Sequence, residues 1–578
     1  MKQLFQWVMT ATLICGLSVF TACSSGSDDN QEPVVKPDPV VNPDPDYNGA
    51  NSSSSEIGYI ECSWNGTEVV KTSKVTTAKD MRTLSYSSGS VRNTIKISGF
   101  YFISGSFTTD NYLYVDGWAA IILCDGADLK VSGIYVNNGG TLIIYAQEKG
   151  TGHLYAETKY SDDFFPAIGT YDGDGGKVEI HGGNVDAKGG NVSAGIGGGS
   201  NDSDVFSDNA NLSDIIIYGG RVYGHSNGGA GIGAGAYDTS VKTNITIYDG
   251  LIEGSGGTDV YKGKFYGVGI GGGHRASFGS VNIYGGTVTA SASDESAGIG
   301  AGEEAPNGVG VVNIYGGTVT AQGGARSAGI GGGDGKSLNS INIYGGEVYA
   351  YAGADGAGIG GGEDGDSGDI NIYGGVVRAY GDRNSDGSSN KGYGAGIGSG
   401  QNGNVNTIII KGGDVQARGG MDAAGIGTGE EYGSDINSGT IEIHGGKVWA
   451  EGKGYGAGIG CGEDATFGVL GISGGRVDAH AGSDCGPWSG GIGAYHKDHG
   501  ADDNCHIGWA GWQRIYIGAG MRLLTYSPNV GGVENVTNNQ PWWNYVHQRP
   551  QVAFGECDHP GYTEATCPFC YRETLQLR

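Results

Sequence analysis

The chain is 578 residues long with 117 glycines, and its 34 Lys and Arg stand against 62 Asp and Glu, a net charge of −28. Such negative charge argues against nucleic acid or an anionic membrane surface as partner and favours cations. So much glycine with only 17% charged residues does not suit a string of ordinary globular domains, and it points to repetition.

In chain order, residues 1–22 carry one positive charge at Lys2 and then an apolar stretch through Val8, Leu13, Ile14, Leu17 and Phe20. The stretch is too short for a permanent span and reads as a cleaved export signal. It ends in Val19-Phe20-Thr21-Ala22-Cys23, which resembles the lipobox of bacterial lipoproteins. That resemblance implies lipidation at Cys23, and Phe20 departs from it, since the family has a small or branched aliphatic residue there. The rival reading is an ordinary secretory signal with an incidental cysteine. Residues 23–55 are Ser, Asp, Asn and Pro with almost nothing to bury, a disordered tether. Within it Ser27-Asp28-Asp29 resembles the tag that sends some lipoproteins to the outer face of the outer membrane. The implied location is the bacterial outer membrane, surface-exposed and lipid-anchored, with the anchor as the sole membrane contact.

Residues 56–100 lack any repeat and are expected to cap an open sheet edge. From 101 to 500 the chain repeats. Val281-Asn282-Ile283-Tyr284-Gly285-Gly286-Thr287-Val288-Thr289-Ala290 recurs as Val312 to Ala321 and Ile341 to Ala350. A second module, Ala-Gly-Ile-Gly-Gly-Gly or a near variant, alternates with it, centred on Ile196, Ile232, Ile270, Ile299, Ile330, Ile359, Ile397, Ile426, Ile459 and Ile492, with a degenerate copy at Ile168. Val281, Ile283, Val288 and Ala290 alternate with polar residues, the period of strands that bury one face. Two strands joined through Gly-Gly and a short third strand at the module's Ile make one coil. The fold class is therefore all-β, a single long parallel β-helix or solenoid with an N-terminal β cap and a small Cys/His C-terminal tail. Tyr101 to Gly152 fits its first coils, residues 501–550 a C-terminal cap, and residues 551–578 the tail.

Tyr101-Phe102-Ile103-Ser104-Gly105, the stretch from Leu123 to Leu129, Ile143-Ile144-Tyr145-Ala146-Gln147 and the Ala-Gly-Ile-Gly modules resemble secreted bacterial proteins of the pectin-lyase-like right-handed β-helix type, often carbohydrate-binding. The resemblance spans roughly Tyr101 to Ala494. It implies the fold; that fold serves lyases, hydrolases, adhesins and non-catalytic binders alike.

Two columns could carry chemistry. Directly after the second module come Glu303-Glu304, Asp334, Glu363-Asp364, Glu430-Glu431 and Glu463-Asp464, interrupted by His274 and Gln401. Carboxylates stacked about 5 Å apart repel by roughly 1 kcal/mol per pair. Calcium would relieve that and could bridge to an acidic sugar, with Glu303, Asp334, Glu363, Asp364, Glu430 and Glu463 as ligands; solvated turn residues are the alternative. Tyr218, Tyr248, Tyr284, Tyr315, Tyr344 and Tyr373 form an outward ladder that stabilises any solenoid, and Tyr284, Tyr315, Tyr344 and Tyr373 are candidates for stacking on pyranose rings. Asn282, Asn313, Asn342 and Asn371 read as an amide ladder between coils. Arg326, Arg378, Arg383 and Arg418 are expected in or near the loops beside the acids, and no motif makes one of them a lyase base.

In the tail, Cys557, His559, Cys567 and Cys570 have the close spacing of a structural zinc site and resemble a zinc knuckle; disulfides are the rival, since an exported chain also holds Cys62, Cys124, Cys461, Cys485 and Cys505. The leading function is non-catalytic binding of polysaccharide, acidic and calcium-dependent in one version, by a monomer with no nucleic-acid partner. The alternatives are a polysaccharide lyase or hydrolase on the same scaffold, and a protein adhesin.

Overall fold

The computed structural model describes residues 54–84, 94–136, 139–158, 164–171, 175–200, 212–237, 239, 243–257, 267–306, 308–382, 392–431, 438–465, 468–482 and 491–493, and the strands Ile515–Ile517, Arg522–Tyr526 and Gln551–Gly555. Residues 23–53 of the expected tether, Cys23 included, Arg383 and the four tail residues Cys557, His559, Cys567 and Cys570 lie outside them, while Ser54 and Ser55, expected in the tether, begin a strand because their backbones pair with Lys79 and Ala78.

The repeat folds as its alternation demands. In one coil Ser280–Ile283 forms a first face, Thr287–Ser291 a second, and Ile299–Gly300 a short third. Each strand pairs in parallel with its equivalent in the next coil: Asn282 with Asn313, Thr289 with Thr320, Ile299 with Ile330. The parallel stack of the second face runs from Ser106–Thr108 to Arg476–His480. The chain is a parallel β-helix. In the early coils single strands turn the corner between faces: Tyr112–Val115 pairs with Gly133–Val136, while Trp118–Leu123 of the same strand pairs with Thr141–Ala146.

The core is one column of stacked apolar side chains. Val281, Ile283, Val288, Ala290 and Ile299 are at most 1% exposed, and their equivalents repeat this coil after coil. Each buried Val or Ile stabilises by about 1.5–3 kcal/mol, added between neighbouring coils. Two glycine positions are sterically obligatory. Gly286, at φ +81°, turns the corner between first and second faces in the left-handed region. On the third face a Cβ at Gly331 would overlap the carbonyl oxygen of Gly360, so the coils can approach only without a side chain there.

Before the coils stands an antiparallel hairpin, β1 (Ser54–Trp64) and β2 (Val69–Asp80). Its turn is closed by Asn65, whose Oδ1 accepts the Thr67 and Glu68 backbone N–H groups at 2.9 Å. The hairpin touches the stack through Ile60 beside Ala146 and Lys79 beside Tyr101, then continues along the corner column across successive coils. Tyr59 packs on Tyr145 at 4.4 Å, the Cys62 N–H donates to His181 Nδ1 at 2.8 Å, and Trp64 stacks on Tyr248 at 4.9 Å. At the other end, Gln551–Gly555 pairs antiparallel with Arg476–His480 and with Arg522–Tyr526, which covers an edge that would otherwise template association. Cys62, Cys124 and Cys461 are buried thiols.

Candidate functional site

The tyrosine column occupies the corner before the Gly-Gly turn. Ring centroids are 4.5 Å apart from Tyr284 to Tyr315, 4.8 Å from Tyr315 to Tyr344 and 4.8 Å from Tyr344 to Tyr373, with planes 7°, 4° and 4° from parallel. Parallel rings this close must lie face on face, so each ring spends its faces on its neighbours. Lys411 covers the far side of Tyr373, with Nζ 4.8 Å from the ring centroid. What points to solvent is a row of edges and hydroxyls, with Tyr315, Tyr344 and Tyr373 39%, 41% and 38% exposed. The expected stacking of sugars on ring faces is thereby changed into contact through edges and hydroxyls. Burial, with the Tyr284 and Tyr344 rings alongside, pushes the Tyr315 phenol up to about 12. The hairpin covers the earlier rungs, Trp64 lying 5.3 Å from Tyr284.

Beside the tyrosines runs the asparagine column, one residue per coil. Asn313 Nδ2 donates to Asn282 Oδ1 at 2.8 Å, Asn342 to Asn313 at 3.0 Å and Asn371 to Asn342 at 3.0 Å. The amide ladder expected from the sequence is present. On the first face each of these coils thus presents an amide and a phenol side by side.

The acidic column lies at the corner after the third face, stitched to the preceding coil. The Glu363 N–H donates to Arg326 O at 2.7 Å, Gln401 to Asp355 O at 2.8 Å and Glu463 to Asp422 O at 2.7 Å. The chain supplies partners to part of this column itself, and of those that follow Arg326 brings the permanent positive charge. His274 Nδ1 is 3.3 Å from Glu303, while Arg326 is 3.3 Å from Asp334, 3.1 Å from Glu363 and 3.6 Å from Glu295. Gln401 Nε2 donates to Glu430 at 3.0 Å. Burial pushes the Asp334 and Glu363 carboxyls up, and Arg326 pulls both back. Asp364 is the next residue along, in the left-handed turn at φ +54°, where Asn402 Nδ2 donates to it at 3.0 Å. Further down, Asp422, Glu430 and Glu463 each bring a carboxylate oxygen within 4.8 Å of the others. Sequence reasoning found Glu430 and Glu463 but missed Asp422, which precedes the Ile426 module, meets Glu430 across that module within one coil, and meets Glu463 of the next coil through stacking.

Two arginines sit elsewhere than expected. Arg378 and Arg418 belong to second-face strands, Val376–Tyr380 and Asp414–Arg418, because they fall on outward positions of the alternating pattern. Of the three expected arginines among the described residues, Arg326 stands among the acids, and Arg275, which was not anticipated, pairs with Glu304 there. An unforeseen polar cluster occupies the early second face: His153 Nε2 is 2.9 Å from Asp186, the Tyr155 hydroxyl hydrogen-bonds to Glu157, and Lys188 Nζ is 3.1 Å from Glu157. Burial and Glu157 push the Tyr155 phenol up to about 12. The signal for these was their alternation between buried Leu154, Ala156, Val185 and Ala187.

With this geometry in place, comparison shows that the chain is similar to the Beta helix repeat family at residues 178–200, 281–303, 312–334, 341–363, 370–401, 408–430 and 441–463. Those segments begin on a first-face strand and, from 281 onward, end in the acidic column, at Glu303, Asp334, Glu363, Gln401, Glu430 and Glu463. No curated protein and no solved structure matches the chain.

Proposed function

We propose that this β-helix binds polysaccharide without cleaving it, as a monomer at the bacterial surface. The observation that carries the reading is the paired row Asn313/Tyr315, Asn342/Tyr344 and Asn371/Tyr373, repeated at the spacing of the coils and open to solvent. One coil advances about 4.8 Å, close to the length of one pyranose unit, so a chain lying along the stack meets the same amide and phenol at each ring. Hydroxyls and amides both donate and accept, which suits sugar hydroxyls. In the acidic version of this reading calcium bridges ligand and protein at Asp422, Glu430 and Glu463, with oxygen ligands only. The proposal includes a lipid anchor at Cys23 and a structural zinc at Cys557, His559, Cys567 and Cys570, since metal-thiolate chemistry suits that spacing.

A second reading, a polysaccharide lyase or hydrolase, is favoured by the His153–Asp186 and Tyr155–Glu157–Lys188 cluster, where acid and base groups converge. A glycan array probed with calcium and with chelator, followed by an assay for new reducing or unsaturated ends on each hit, decides between them. Binding without product supports the proposal; steady product formation replaces it with the enzyme. Retention of no glycan refutes both and leaves the protein-adhesin alternative.

A further inference from the structure

The second face divides into zones, and the fold supplies its own control. At Thr287, Thr289, Ser291, Thr318, Thr320 and Gln322 the outward positions are small or neutral, which shows what the scaffold needs there: β-forming residues that tolerate water. Later coils depart from this. One outward column reads Tyr349, Arg378, Gln416, Trp449, Asp478 in successive coils, and the next reads Tyr351, Tyr380, Arg418, Glu451, His480. Coil stacking is served by the buried Val377, Val415, Val448, Ala379, Ala417 and Ala450 beneath, so the fold does not require this outward chemistry.

We infer that these coils form a second glycan site, distinct from the tyrosine corner and selective for an uncharged, hydroxyl-rich polysaccharide. This rests on the polysaccharide reading above and assigns it another surface. Three features specify the occupant. First, aromatic and guanidinium planes are set together: Tyr351 and Tyr380 stack at 5.2 Å and 6°, and the Arg418 guanidinium lies 5.6 Å from the Trp449 ring centroid. Trp449 has Gln416 and Asp478 as column neighbours, and its ring neighbour among the described residues, His480 at 5.5 Å, is tilted by 41°, so no parallel ring covers its face as happens along the corner tyrosines. Second, each cation is held by an acid. Arg378 is 3.1 Å from Asp414, Arg418 2.6 Å from Glu451, Arg476 3.1 Å from Asp478, and Lys447 3.8 Å from Asp414. Third, the face is balanced in charge within a chain of net charge −28. A polyanion would meet paired cations and the repulsion of the whole chain. A neutral glycan meets complementary groups instead, because each ion pair can take a hydroxyl as donor to its carboxylate and as acceptor from its guanidinium, while Trp449 offers an apolar plane to the C–H face of a pyranose.

The test is affinity electrophoresis of the purified protein in chelator, through gels containing dextran, xylan or galactomannan, with polygalacturonate as the anionic counterpart. At least one neutral polymer should retard migration, and Trp449→Ala should weaken that retention by about tenfold or more, the loss expected when a central aromatic anchor is truncated. Trp449→Tyr should restore most of it, and Thr289→Ala with Thr320→Ala should change nothing. Arg418→Gln should weaken retention with the melting temperature unchanged, so the inference stays testable if Trp449→Ala folds poorly. Absence of retention by every neutral polymer overturns it, as does retention by polygalacturonate alone, or retention unaltered in both Trp449→Ala and Arg418→Gln. Retention sensitive to Tyr344→Ala but to neither second-face variant sinks this site and leaves the corner reading standing; the reverse pattern does the opposite.

Discussion

Trp64 and Tyr248 stack with ring centroids 4.9 Å apart and planes 23° from parallel, joining the tip of an N-terminal hairpin to an early rung of the tyrosine column. Together with Tyr59 on Tyr145 and the Cys62 N–H on His181, this makes the hairpin a strap laid along the stack. Trp64→Ala should loosen the strap and cost about 1–3 kcal/mol, less than a fully buried Trp, because Trp64 keeps part of its surface in water. Hydrogen exchange should quicken in Ser54–Asp80 and stay slow in the coils.

Gly331 and Gly335 lie four residues apart, and both have positive φ, yet substitution should affect them very differently. A Cβ at Gly331 meets the Gly360 carbonyl of the next coil, whereas at Gly335 it meets nothing within 4 Å. Gly331→Ala should cost about 3 kcal/mol or more by forcing two coils apart. Gly335→Ala should cost about 1 kcal/mol from its left-handed backbone alone. Denaturant unfolding of the two variants checks the contrast.

Asn342 sits mid-ladder, donating to Asn313 and accepting from Asn371, both at 3.0 Å. Asn342→Ala removes both of these and a 3.3 Å bond to Ser340 Oγ at a partly exposed site, and should cost about 1–2 kcal/mol. Asn371→Ala, which lacks an equivalent next rung because Ile409 follows it in the stack, should cost about half as much in the same thermal melts.

The coil was legible because its signals are local and repeated. Val281, Ile283, Val288 and Ala290 alternate, Gly286 sits where a corner needs positive φ, and Asn282 recurs often enough to announce a ladder. The strap was not legible, since Trp64 belongs to no repeat and meets Tyr248 only through tertiary packing. Nor was the neutralisation of the acidic column, since Arg326 precedes the Ile330 module, Asp334 follows it in the same coil and Glu363 comes from the next coil, so the folded corner is what gathers them. The occupied ring faces followed from the coil rise itself: rings stacked one coil apart leave no gap for a sugar.

Glu179 gives the structure an acid-sensitive contact. Burial pushes its carboxyl up, but hydrogen bonds from His181 and Lys177 and the Lys177 charge outweigh this and hold it at about 2, against an ordinary 4.5. A depressed carboxyl contributes stability in full above its ordinary value, and that contribution fades as pH falls toward the folded value. Stability should therefore drop between about pH 4.5 and pH 2, and Glu179→Gln should flatten the drop in pH-dependent melts while lowering stability at neutral pH.

The central claim is that many equivalent weak contacts along the coils, rather than one cleft, retain a polysaccharide. Its most direct test is calorimetric affinity for a single retained glycan as a function of chain length, with reducing ends counted in the same samples. Linked weak sites should raise the apparent affinity by orders of magnitude from short oligomer to polymer, should lose it stepwise as Tyr315, Tyr344 and Tyr373 are replaced by Ala, and should leave the polymer intact. An oligomer that binds as tightly as the polymer, or a steady rise in reducing ends, would contradict the account.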